Sequence, residues 1–84
     1  MKKIEFYNHK NIIFKQLKIA RKKAGLSQNA LAAKMQILNI NIDQKMISKI
    51  ERDMRMVTDY ELATLCKILG VDEKTLLKDY DGDL

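Results

Sequence analysis

The segment Asp43-Gln44-Lys45-Met46-Ile47-Ser48-Lys49-Ile50-Glu51 carries side chains suited to reading the edges of base pairs. Glutamine can form two hydrogen bonds with adenine N6 and N7, and lysine can donate to guanine O6 and N7. Lys45 and Lys49 are four positions apart, so on a helix they share one face. Ile47 and Ile50 fall on the opposite side and read as core. Taken alone, two such lysines are an ordinary solvated helix face. The surrounding sequence decides whether they do more.

Competing chemistries fail on residue type or spacing. His9 is the single histidine, so there is no histidine pair for a metal. Cys66 lies on an apolar stripe and reads as core rather than as a reactive thiol. The acidic run Asp79-Tyr80-Asp81-Gly82-Asp83 hints at a calcium loop, but its glycine is misplaced and no twelfth-position ligand follows. Ser48 has no histidine base in its neighbourhood, and no Gly-rich phosphate loop occurs. The expectation is a protein with no catalytic site, no cofactor and no metal.

Charge points the same way. Residues 1–55 hold 13 Lys/Arg against 4 Asp/Glu, whereas residues 56–84 hold 3 against 7. A basic first part suits a polyanion, and an acidic second part suits something else, such as a protein partner. A chain of 84 residues makes one domain with a small core, burying about 60–65% of its unfolded surface. One cysteine and no secretory signal pattern fit a reducing cytoplasm. No apolar run approaches the ~18 residues that a membrane span needs.

The elements that must position these residues are helical. Ile13, Leu17, Ala20 and Ala24 form one apolar stripe, and Leu31, Met35 and Leu38 a second. Ile47 with Ile50, then Leu62, Leu65, Cys66 and Leu69, then Leu76 with Leu77 follow. Each stripe is preceded by a capping residue: Asn8, Ser27, Asp43, Thr58 with Glu61, and Asp72. Gly25-Leu26, Asn39-Ile40 and Gly70-Val71 supply the left-handed stop followed by an apolar residue. The spacing predicts helices over about 9–24, 28–38, 44–52, 59–69 and 73–80, with an arm at 1–7 and an acidic tail at 81–84.

The stretch from Gln36 to Asp43 is ambiguous. Leu38 continues the second stripe, Asn39 stops it, and Ile37, Ile40 and Ile42 are left to bury. Leu38, Ile40 and Ile42 also alternate as a strand would, but no second strand is present to pair with it.

Three segments in order, Gly25-Leu26-Ser27-Gln28, Leu31-Ala32 and Ile47-Ser48-Lys49-Ile50-Glu51, are followed by a capped helix ending Ile68-Leu69-Gly70-Val71. Together they resemble the phage-repressor and Cro-like helix-turn-helix family over about residues 12–78. The resemblance implies an all-α, five-helix DNA-binding domain whose third helix lies in the major groove. Here the second helix and the connection after it are longer than usual.

The resemblance implies roles by position. Gln28 would bond a phosphate and brace the recognition helix. Gln44, Lys45 and Lys49, with Met46 beside them, would face bases and phosphates, and Arg52 and Arg55 would meet phosphates just after that helix. Arg21 and Glu51 would form an ion pair that orients it. The partner would be duplex DNA bound by a homodimer, with Leu77 and Tyr80 as the candidate dimer surface. An antitoxin-like or adaptor module on the same fold, binding protein through its acidic part, is the alternative. The chain departs from the family in two places. Gln36 stands where a turn glycine is common, with about five extra residues between Leu31 and Glu51. Asp53 stands where glycine is usual, a position that asks for left-handed backbone.

Overall fold

A computed structural model describes residues 6–81. Five α-helices follow one another: α1 (Phe14–Lys23), α2 (Gln28–Ile37), α3 (Gln44–Glu51), α4 (Asp59–Leu69) and α5 (Glu73–Leu77). A short 3-10 turn, Lys78–Asp81, continues α5. Residues 1–5 of the expected arm and 82–84 of the expected tail lie outside the described residues.

Side chains open four of the helices as the sequence predicts. Ser27, Asp43, Thr58 and Asp72 each accept the backbone N–H three residues on, and Glu61 completes a capping box with Thr58. The other ends share a second device. Gly25, Asn39, Asp53 and Gly70 all have positive φ, between 59° and 74°. After each, the next residue donates its N–H five positions back: Leu26 to Arg21, Ile40 to Met35, Met54 to Lys49 and Val71 to Cys66. These bonds satisfy carbonyls that a helix end leaves orphaned.

The start of α1 differs from expectation. Asn8 does not cap it, and α1 begins at Phe14 rather than near residue 9. Phe6 and His9 instead exchange both backbone hydrogen bonds, at 2.7 and 2.8 Å. Tyr7 and Asn8 between them have φ of 48° and 67°, positive at both central positions as in a type I′ turn. Asn11 ties down the approach to α1, its side-chain oxygen accepting the Ile13 N–H at 3.0 Å.

Leu17, Leu31, Met35, Ile42, Ile47, Ile50, Leu65 and Leu76 are fully buried, with Cys66 among them in the core. α1 packs on α3 and α5, α2 on α3 and α4, and α4 on α5. The helix 2–3 connection is irregular chain, not strand. Ile42 fills the core and Ile40 packs against it. Ile37, expected to bury, is 78% exposed, and Leu38 is also exposed. The physical reason is the Asn39 stop: it turns the chain back so that Ile40 and Ile42, not the end of the Leu31 stripe, meet the core. Gln36 fixes the turn by donating to the Ile42 carbonyl at 2.9 Å. At the far end, regular α-helix stops at Leu77 rather than residue 80, and Gln16 on α1 holds Asp79 of the 3-10 turn at 3.2 Å. Among the described residues no helix is long and apolar enough to cross a membrane.

Candidate nucleic-acid interface

The site is built outward from a buried carboxylate. Glu51, the last residue of α3, accepts Arg21 Nε at 2.6 Å and the second guanidinium nitrogen at 3.0 Å. Both residues are buried. The hydrogen bond to Glu51 raises the Arg21 pKa further above its already high value. Another Arg21 nitrogen donates to the Leu26 carbonyl at 2.9 Å, so one side chain joins α1, the turn before α2 and the end of α3. The sequence-predicted pair is therefore present and bidentate, the geometry that guanidinium and carboxylate favour.

Gln28, at the start of α2, extends the network. Its Nε2 donates to Glu51 Oε1 at 3.1 Å. Its Oε1 accepts Gln44 Nε2 at 2.8 Å. A continuous chain of polar contacts thus runs Arg21–Glu51–Gln28–Gln44 and reaches from the core to the first residue of α3. This brace uses one N–H of Gln44. Its other N–H and its Oε1 remain, the combination that a bidentate adenine contact requires.

Lys45 and Lys49 are exposed one turn apart on the outer side of α3, while Ile47 and Ile50 are buried beneath. Met46 is half-buried and packs against the core, so it shapes the start of the helix more than it faces outward. Asn29, Ala32, Ala33 and Gln36 of α2 border a shallow groove with Asp43, Gln44 and Lys45.

The two arginines beyond α3 are placed differently. Arg52 is exposed, and its Nε donates to the Ser48 carbonyl at 3.3 Å. Arg55 is engaged inside the protein. It grips Glu61 with two hydrogen bonds, at 2.9 and 3.0 Å, and donates to the Met56 carbonyl at 2.9 Å. Burial pushes the Glu61 carboxyl up, but Arg55 and the Thr58 N–H outweigh it and leave the pKa below the ordinary value. Three of the five guanidinium N–H groups are used, and two are left for an outside acceptor.

Asp53 has a role that its spacing did not announce. Its carboxylate accepts His9 Nδ1 at 2.5 Å, the Lys10 N–H at 2.8 Å and the Asn11 N–H at 3.2 Å. Burial raises the Asp53 pKa, and these hydrogen bonds more than reverse that, leaving it lowered. Asn11 donates to the carbonyls of Ile50 and Arg55, both at 3.0 Å. His9, expected near the start of helix 1, lies upstream of it and stacks on Phe14. Contacts between residues some forty positions apart leave no periodic trace in the sequence. The available signal was an aspartate at a left-handed stop. Leu77 is half-buried against the core, whereas Tyr80 is 57% exposed and stacks on Phe6.

This geometry has counterparts among known proteins. A helix-turn-helix family profile matches residues 17–76. The restriction-modification controller protein C.AhdI from Aeromonas hydrophila is similar in structure, with a TM-score of 0.67 and 25% identity, over 76% of this chain and 86% of that one. The DNA-binding domain of BldD is similar with a TM-score of 0.69 and 26% identity, over 86% of this chain and 97% of that domain. No curated protein matches the chain. The profile covers the ion pair, the glutamine brace and all of α2 to α4, and on that ground the chain belongs to the phage-repressor and Cro-like helix-turn-helix family.

Proposed function

We propose that the protein is a sequence-specific DNA-binding regulator of transcription whose helix α3 reads the major groove, with repression as the outcome. The observation that carries this reading is the Arg21–Glu51–Gln28–Gln44 chain, which holds α3 by its inner side while Lys45 and Lys49 stay exposed on its outer side. Gln44, held by Gln28, is pre-organised for a base edge, and the basic surface supplies the salt-dependent share of affinity. The structural relatives, a controller protein and a DNA-binding domain, favour a regulator over an enzyme. Gln28, Gln44, Lys45, Lys49 and Arg52 form the proposed contact set, with Met46 shaping it and Arg55 reaching phosphate through its two spare N–H groups.

A homodimer on paired half-sites fits such a short reader, because one helix covers few base pairs. The exposed Tyr80 with Leu77 beside it is the proposed dimer face. The acidic balance after residue 55 favours a second reading, in which that part of the chain binds a protein partner. Work on DNA would place the protein in the cytoplasm. Selection of bound duplexes from a random pool tests the leading reading. A shared half-site, bound with affinity that falls steeply with salt, is expected. Absence of binding to any selected duplex at low salt would sink it.

A further inference from the structure

The far end of α3 is held by contacts that the ion pair and the glutamine brace do not explain. Five hydrogen bonds run between residues 9–11 and the end of α3 with the turn after it. Asp53 accepts three from His9, Lys10 and Asn11, and the Asn11 amide donates to the Ile50 and Arg55 carbonyls while its oxygen accepts the Ile13 N–H within the segment. Asn11 is buried, and it is satisfied on both its oxygen and its nitrogen. Ile50 is in the last turn of α3, so this amide grips the helix itself. Asp53 is the left-handed residue that ends it.

Glycine would satisfy the backbone at 53 without strain, because it adopts positive φ freely. An aspartate there accepts a less favourable conformation and returns a carboxylate aimed at the N-terminal turn. That turn places a tyrosine and an asparagine, rather than glycine, at positive φ, and it is closed by the Phe6–His9 pairing and packed through Phe6 on Tyr80 and His9 on Phe14. Two less favoured backbone sites joined across five hydrogen bonds are the pattern of a fixed joint, not of a loose terminus.

We propose that His9, Asn11 and Asp53 form a latch that positions the C-terminal end of the recognition helix, so that α3 is held at both ends: by Gln28 at Gln44 and by the latch beyond Ile50. These are positioning residues and need not touch DNA. The proposal rests on α3 being the DNA-reading element. It makes the segment before α1 part of the recognition apparatus, although that segment precedes the helix-turn-helix itself.

The test uses the full chain, with Asp53→Gly, Asp53→Asn and the parent. Asp53→Gly keeps the left-handed end and removes the carboxylate. Asp53→Asn tolerates the same backbone and keeps an acceptor for the Lys10 and Asn11 N–H groups. Two quantities are measured: amide hydrogen exchange at residues 9–13 and 50–55, and affinity for a duplex selected by the parent alongside a scrambled duplex. The expected result for Asp53→Gly is faster exchange at both segments and about tenfold weaker binding to the selected duplex, or ~1.4 kcal/mol. Scrambled-duplex binding and the salt slope stay at parental values, because no phosphate contact is lost. Asp53→Asn recovers most of the affinity. Parental exchange in Asp53→Gly overturns the latch. Faster exchange with parental discrimination between the duplexes overturns its positioning role and leaves the DNA reading intact. A parent that binds no duplex overturns both.

Discussion

Gln44 Nε2 donates to Gln28 Oε1 at 2.8 Å, and this single contact joins the first residue of α2 to the first residue of α3. Gln28 in turn rests on Glu51 at the opposite end of α3. The orientation of a side chain at the outer surface is thereby set by a buried arginine three contacts away.

Removing either glutamine side chain should therefore weaken binding to a selected duplex in a coupled way. Gln28→Ala is expected to lower affinity about tenfold by releasing Gln44, a loss of ~1.4 kcal/mol. Gln28→Ala with Gln44→Ala should lose less than the sum of the two, with a coupling of roughly 0.5–1.5 kcal/mol, the size of one net hydrogen bond. Binding titrations on the four proteins of the cycle check this, and strict additivity contradicts it.

The Arg21–Glu51 pair should matter most when half of it is removed. Glu51→Ala leaves a buried guanidinium without its carboxylate, and about 3–5 kcal/mol of stability is expected to go with it. Arg21→Ala with Glu51→Ala should cost clearly less than the two single changes added together. Denaturant melts of the four proteins measure the coupling, and a value near zero contradicts the pair.

Acid should loosen the protein through Glu61 and Asp53. Both carboxyls have pKa values below their ordinary ones in the folded state. The unfolded chain therefore takes up protons first as pH falls, so their stabilising contribution is full above about pH 4.5 and declines below it. It is gone once the pH passes below the lower folded-state values. Glu61→Gln should flatten the acid limb of a stability-versus-pH curve, and an unchanged limb contradicts this.

Neighbouring isoleucines in and beside the helix 2–3 connection should behave oppositely. Ile42 is fully buried, so Ile42→Ala is expected to cost about 2–5 kcal/mol through lost burial and a cavity. Ile37 is mostly exposed, so Ile37→Ala should stay within about 0.5 kcal/mol of the parent. Equal losses in thermal or denaturant melts would contradict the course of the connection.

This contrast marks where the sequence is readable. Ser27, Asp43, Thr58 and Asp72 act through their own local backbone, so a window of a few residues holds the whole interaction. The same is true of the left-handed stops at Gly25, Asn39 and Gly70. The Arg21–Glu51 pair, and the placement of Lys45 and Lys49 on the exposed face of α3, are legible once the three family segments are taken together. Ile37 and Leu38 were misassigned because a periodic stripe says nothing about where the core beneath it ends. Asn8 failed as a cap because a turn closed by Phe6 and His9 took its backbone first. The intramolecular roles of Arg55 and Asp53 leave no local signal in the sequence. Their partners, Glu61 and the residues from His9 to Asn11, are fixed only by tertiary packing.

The central claim, that α3 reads duplex DNA through its outer face, is tested most directly by salt titrations of the parent, Lys45→Ala and Lys49→Ala on a duplex selected by the parent. The account predicts steeply salt-dependent parental binding. A lysine that meets a phosphate should give a slope shallower by about 1 when removed, and one that meets a base should give relaxed preference at one base pair. Parental slope and parental sequence preference in both variants would contradict it.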